Sequence, residues 1–318
     1  MRRAALLGLA ALALGACAKP PEGDPRYRPA ENVLEVVAVL RRHVNDDTYR
    51  FEPARDFTGR NVYRASLLRL ESLEKLDEEE LRAGHLDDVI AFAKGRALER
   101  LRAFDLAAAS YRKAAEREGE LREEALRSAS FCDSLDEAAR IGFDADRAVK
   151  GEDDPNTPPD AAAMLSGSSR RVALLEALST EAKDTHYEAI VREEIERADE
   201  ARAQYFVASR RLTPDGDVHA LSELQRLVTR HRESKNANRH VLELADLYAA
   251  LAEEYTASHP PESLLFDPPT FQELVDSASR LYQNVANQDG TSERLEASRR
   301  LEAFLAFTLR VDRDRFTP

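Results

Sequence analysis

The chain has no tryptophan, only two cysteines and only 12 glycines among its 318 residues. Two cysteines exclude a disulfide framework and a cysteine-rich zinc module, which need more. Glycine stands at about half its usual share, and no pair has the spacing of a phosphate-binding loop. HExxH and GxSxG are missing as well, which removes the metalloprotease and nucleophile-elbow readings. Basic residues are in deficit: 46 Lys and Arg face 59 Asp and Glu, a net charge of −13. Such a chain lacks the basic face with which a generic nucleic-acid binder displaces counterions. What is present is enough apolar residue, 43%, to exclude wholesale disorder, over a length that suits about two domains.

The N-terminus carries an address. Arg2 and Arg3 precede an unbroken Ala/Leu/Gly run from Ala4 to Ala16, too short for a bilayer span of about 20 residues but suited to a signal-peptide core. The run ends in Leu14-Gly15-Ala16-Cys17, which resembles the lipobox of bacterial lipoproteins. The resemblance implies a signal peptide over 1–16, lipid attachment (palmitate among the acyl chains) at Cys17, and anchorage by those chains, each buried methylene contributing about 0.8 kcal/mol. Ala18 and Lys19 stand where lipoproteins kept in the inner membrane often carry Asp, so the expected address is the periplasmic face of the outer membrane. The inner membrane and the cell surface stay open. Residues 17–30 hold Pro20, Pro21, Pro25 and Pro29, a stiff tether reaching about 3.1 Å per residue.

Beyond the tether the apolar spacing is three and four, which predicts an all-α body. Its expected form is antiparallel helix pairs stacked as a tetratricopeptide-like array, or an irregular helical bundle. The expected regions are an N-terminal helical repeat region over 31–150, a linker or long loop over 151–170 and a C-terminal helical region over 171–318. The Val33–Leu40 stretch is rich in β-branched residues and reads as helix on its length and its following arginines. Asn61 is a candidate N-cap for a helix to Leu76. From Leu86 to Glu116, Phe92, Gly95, Leu98 and Leu101 share one helix, and Ala107, Tyr111 and Ala114 share the next. This small-large pattern resembles a tetratricopeptide repeat, although the family's Trp and closing Pro are missing. The resemblance implies close packing through Gly95, Leu98, Ala107, Tyr111 and Ala114. A degenerate copy 34 residues on falls at Ala129, Cys132, Ile141, Ala145 and Ala148. A second pair falls at Leu244, Tyr248, Leu251 and Tyr255, then Ala278, Tyr282 and Val285, around a Pro-rich insertion from Ser258 to Pro269 with an exposed-looking Leu264-Leu265-Phe266. The segment from Arg171 to Leu212 reads either as one long helix or as two broken near Asp184.

Catalytic signatures fail. Ser72 and Ser110 both match SxxK, but both fall mid-helix and KTG is absent. His231 and His240 lie nine apart, not a one-face helical spacing, and read as surface or capping residues; His85 beside Asp87 and Asp88 reads as a helix start. Asp46-Asp47 and Asp153-Asp154 read as loop charges. No catalytic residue, metal site or cofactor is expected. Cys132, on an apolar helical face, reads as a buried thiol. Two patches are candidates for partner binding. One is Phe57, Arg60 and Tyr63, unless Phe57 tucks beneath the helix. The other is a basic stretch holding Arg226, Arg230, His231, Arg232, Lys235, Arg239 and His240, of which Arg230, Arg232, Lys235 and Arg239 are the candidates; it reads otherwise as a solvated helix junction. The expected function is a membrane-anchored periplasmic scaffold or adaptor that binds another envelope protein, with no chemistry of its own and no nucleic-acid partner. An envelope enzyme acting on peptidoglycan and a structural spacer are the alternatives.

Overall fold

The computed structural model describes residues 28–76, 78–83, 86–141 and 161–316. The signal peptide, Cys17, most of the tether, His85, Ala145, Ala148 and Asp153-Asp154 lie outside the described residues. Among those described are twelve helices and no strand, only an isolated bridge between Arg55 and Asn61. The fold is all-α. The chain divides into two compact units, one of Met1–Asp46 with Pro53–Asp133, the other of Asp47–Glu52 with Ser134–Pro318.

The first unit holds α1 (Arg28–Asp46), α2 (Val62–Leu76), α3 (Glu78–Ala83), α4 (Asp87–Arg100), α5 (Phe104–Ala115) and the start of α6 (Arg122–Arg140). Helix α1 begins inside the expected tether. Its β-branched stretch is helical because Val33, Val36 and Leu40 form one stripe buried in a cluster with Tyr63, Leu70 and Ile90, and burial outweighs a weak propensity penalty. Asn61 caps α2, its Oδ1 accepting from the backbone N–H of Tyr63 at 2.9 Å and of Arg64 at 3.4 Å.

Helices α4 and α5 form a hairpin around a three-residue turn in which Arg102 takes a left-handed φ of 62°. A Cβ on Gly95 would lie 2.6 Å from the Tyr111 ring, so only glycine permits this approach. Tyr111 is fully buried, packs edge-on to Phe92 at 5.2 Å and donates from its hydroxyl to Glu99 at 2.7 Å. Leu98, Ala107 and Ala114 are buried beside it. Helix α6 then runs unbroken from Arg122 to Arg140.

The second unit holds α7 (Ala161–Ala182), α8 (Tyr187–Ser209), α9 (Gly216–Arg230), α10 (Ala237–Ser258), α11 (Pro268–Ala286) and α12 (Glu293–Phe316), each packed on the next. Helix α7 starts at Ala161, so the second half of the expected linker is helical. Gly167 costs about 1 kcal/mol there, offset by burial of Met164 and Leu175. Two helices, not one, occupy the long segment; Asp184, at φ 61°, breaks them. Ala278, Tyr282 and Val285 on α11 are buried in a cluster with Val241, Ala245 and Ala252 of α10. The Pro-rich insertion ends at Asp267, which caps α11 through Thr270 N–H at 3.3 Å with prolines in the first turn. Among the described residues no helix is long and apolar enough to cross a membrane.

Candidate functional site

Helix α8 carries Glu193, Glu196, Asp199 and Glu200, with Glu196 and Asp199 almost wholly buried. Spacings of three, four and seven put these acids along one side of the helix. Buried carboxylates require partners, and α9, α10 and the turn between them supply the partners. Asp199 takes Arg226 at 2.9 Å, Arg230 at 3.1 Å and His231 Nε2 at 2.9 Å. Glu196 takes His240 Nε2 at 2.7 Å and the Ser234 hydroxyl. Lys235 reaches Glu193 at 2.8 Å, and Arg239 reaches Glu200 at 2.7 Å.

Electrostatics follow this geometry. Burial pushes the Asp199 carboxyl up, but the His231 hydrogen bond and the Arg226 and Arg230 charges outweigh it and hold the group below the usual aspartate range. Burial acts likewise on Glu196, and His240 and Ser234 bring it below the usual glutamate range. Tyr49 is driven up by burial, with the Glu196 charge adding. Because a carboxylate only accepts, each histidine presents its Nε2–H to its acid. His231 Nδ1 is hydrogen-bonded to the Tyr49 hydroxyl at 2.7 Å. His240 Nδ1 is buried and has no hydrogen-bond partner.

Two openings flank this cluster. One, of about 440 Å³, is lined by Tyr49, Arg50, Arg192, His231 and Arg232. The other, of about 430 Å³, is lined by Gln204, Arg210, Leu224, Glu243, Asp246 and Leu247. Burial raises Glu243, and the Glu200 and Asp246 charges add to this against His240 and Arg239. Burial also raises Asp246, against the Tyr282 hydroxyl, which donates to it at 2.6 Å, and the Arg300 charge.

No protein family matches this chain, nor does any curated protein or solved structure. The site is therefore read from its own residues.

The two histidines expected at the surface are buried and bonded to acids. Three of the four basic candidates for partner binding, Arg230, Lys235 and Arg239, are ion-paired to carboxylates of α7 and α8, so their charge is spent within the unit. Arg230 and Arg232 are both exposed and line the first opening. Tyr63 is fully buried, which removes it from any docking surface. Ser72 and Ser110 donate to the carbonyls of Leu68 and Leu106, one turn back along their own helices. Cys132 is buried.

Phe57 does not tuck beneath α2. It is fully exposed, at 101% of its reference area, on the tip of a tight turn. Asp56 builds that turn, its Oδ1 accepting from Thr58 N–H at 2.9 Å, from the Thr58 hydroxyl and from Arg60 N–H at 3.0 Å. Gly59 closes it at φ 78°, a conformation glycine adopts without penalty. Arg60 is exposed beside Phe57.

A further ion-pair node joins the end of α8 to α9 and α10. Arg210 donates to Asp217 at 2.7 Å and to Glu254 at 2.9 Å, and Arg211 also bonds Glu254. The Arg210 hydrogen bond leads in lowering Glu254 to about 2. The stabilisation from this group is complete above its free value near 4.5 and is lost as pH falls through 2. A side-chain NMR titration is expected to place the Glu254 midpoint near 2, and Arg210→Gln to move it back toward 4.5.

Proposed function

We propose that the chain is a lipid-anchored protein of the bacterial envelope, held at the periplasmic face of the outer membrane through Cys17, and that it works as an adaptor for another envelope protein. The observation that carries the adaptor reading is the exposed Phe57, presented on a turn that Asp56 holds in one conformation. An aromatic ring kept in water on a preorganised loop loses little further freedom on binding and buries a large apolar area, the character of interface hot spots. Leu264 and Leu265 extend the same logic in the other unit. They stand in solvent, at 104% and 75% exposure, while their neighbour Phe266 is buried against Tyr255 and Phe271 and pins the loop.

A second reading, an envelope hydrolase, is favoured by one feature, the Tyr49-His231-Asp199 chain beside the first opening. The direction of its acidities weighs against it. Asp199 is held down and Tyr49 is pushed up, so neither stands near neutrality, where a general acid or base works best.

The test is affinity purification from crosslinked, detergent-solubilised membranes, comparing the native chain with Cys17→Ala and Phe57→Ala. A stoichiometric envelope protein should be recovered with the native chain and lost with either variant. Binding by Phe57→Ala should be weaker by roughly 30-fold, the scale of a hot-spot truncation, with folding stability changed by no more than about 0.5 kcal/mol. Equal recovery with all three proteins would sink the proposal, and turnover of cell-wall fragments by the native chain would favour the hydrolase.

A further inference from the structure

His240 sits in the first turn of α10 with no solvent exposure. Its Nε2 is committed to Glu196 at 2.7 Å, which fixes the ring's orientation and leaves Nδ1 facing protein without a partner. A buried polar atom left unsatisfied is rare and asks for an explanation. Two carboxylates stand beside this ring. Glu243 lies one turn further along α10, and Glu200 lies on α8, one turn beyond Glu196; residues three or four apart are neighbours on a helix surface. One ligand atom from each of Glu200, His240 and Glu243 can be chosen so that all lie within 4.8 Å of one another.

The carboxylates have capacity to spare. Both protein contacts to Glu200, from Arg239 at 2.7 Å and Gln204 at 3.3 Å, fall on Oε1 and leave Oε2. Glu243 has no hydrogen-bond or ion-pair partner among the described residues. We propose that Glu200, Glu243 and His240 Nδ1 bind a divalent transition-metal ion of the zinc class, which ties α8 to α10. The donor set argues for that class: an imidazole nitrogen suits zinc and its neighbours, whereas calcium and magnesium take oxygen ligands. Two carboxylates beside a neutral imidazole match the charge of the ion. The Glu196–His240 bond is the carboxylate–histidine support that metal-bound imidazoles commonly have. Ligand bonds of about 2.0–2.2 Å require the three donors to close in slightly, a movement available to two half-buried glutamates on flexible stems. Glu243 also lines the 430 Å³ opening, so a further ligand can approach from that side.

The proposal is independent of the adaptor reading. Its test uses the full chain stripped with EDTA, with Zn²⁺ as the probe for thermal melting and calorimetry and Co²⁺ as the probe for visible ligand-field bands. Zinc at a hundredfold excess over its dissociation constant should raise the melting midpoint by about 5–10 °C, and cobalt should give bands that zinc displaces. Because His240 is fully buried, His240→Ala would report on folding as well as on metal. The decisive variant is therefore Glu243→Gln, at a residue without polar partners. It should leave the metal-free midpoint no lower than that of the native chain and weaken zinc binding at least tenfold. Absence of a zinc-dependent shift and of cobalt bands in the native chain would overturn the proposal. So would undiminished zinc affinity in Glu243→Gln.

Discussion

Asp199→Ala is expected to destabilise the second unit by about 3–5 kcal/mol, the cost of removing one partner from a buried ion pair. The size of the effect comes from what is left behind. Arg226, Arg230 and the His231 ring converge on the Asp199 carboxylate within 3.1 Å. Without it Arg226 keeps only Glu223, Arg230 keeps only Glu176, and the buried His231 Nε2–H has no acceptor. Asp199→Asn keeps the volume and one acceptor oxygen and should lose less. With no tryptophan to report unfolding, amide hydrogen exchange in α9 and α10 is the suitable measurement, and it separates this unit from the other. Acid should act in the same place. Asp199 and Glu196 are both lowered on folding, so their stabilisation is fully present above the free carboxylate values near 4. It disappears as pH falls through the folded values below that. Native-like exchange in α9 and α10 after Asp199→Ala would show that the network contributes little.

Tyr111→Ala is expected to cost the first unit a similar amount, about 3–5 kcal/mol, the range for deleting a large buried aromatic side chain. The ring fills the space that Gly95 leaves open and meets Phe92 at its edge, so neither helix can close the void without moving the other. Tyr111→Phe separates the packing from the hydrogen bond. It keeps the ring and removes a donor from the buried Glu99 carboxylate, for which about 1–3 kcal/mol is expected. Exchange protection of α4 and α5 is the measurement. Indifference of both variants would mean that the hairpin is held by its packing on α1, α2 and α3.

The contrast between these two sites explains what could be read from the chain. The Gly95–Tyr111 contact was legible because its partners lie sixteen residues apart on successive helices, where a small residue opposite a large one leaves a local pattern. The ionic network was not. Glu196 and His240 are separated by 44 positions, and each strand of the network reads on its own as ordinary surface: acids on α8, a basic run from Arg226 to His240. Only packing of α8 on α9 and α10 reveals that one neutralises the other. A usable signal did exist, because Glu193, Glu196 and Glu200 share a helical face with Ile190 and Ala203, which are mainly core residues. The break at Asp184 was visible only as an alternative, since no glycine or proline marks it. The fully exposed Phe57 ran against the expectation that a lone aromatic beside a helix is buried, because the Asp56 side chain satisfies the turn locally and takes away the need to fold back.

The scarcity of glycine leaves a mark on the turns. Arg102, Asp184 and Asp215 take φ values of 62°, 61° and 53°, where a side chain costs about 1–2 kcal/mol that glycine would not. Natively this is a loss at three junctions between helices. Unfolded, the same residues wander over fewer conformations than glycine would, so the chain has less freedom to surrender when it folds. Its helical hairpins trade strain in the ordered state for stiffness in the disordered one.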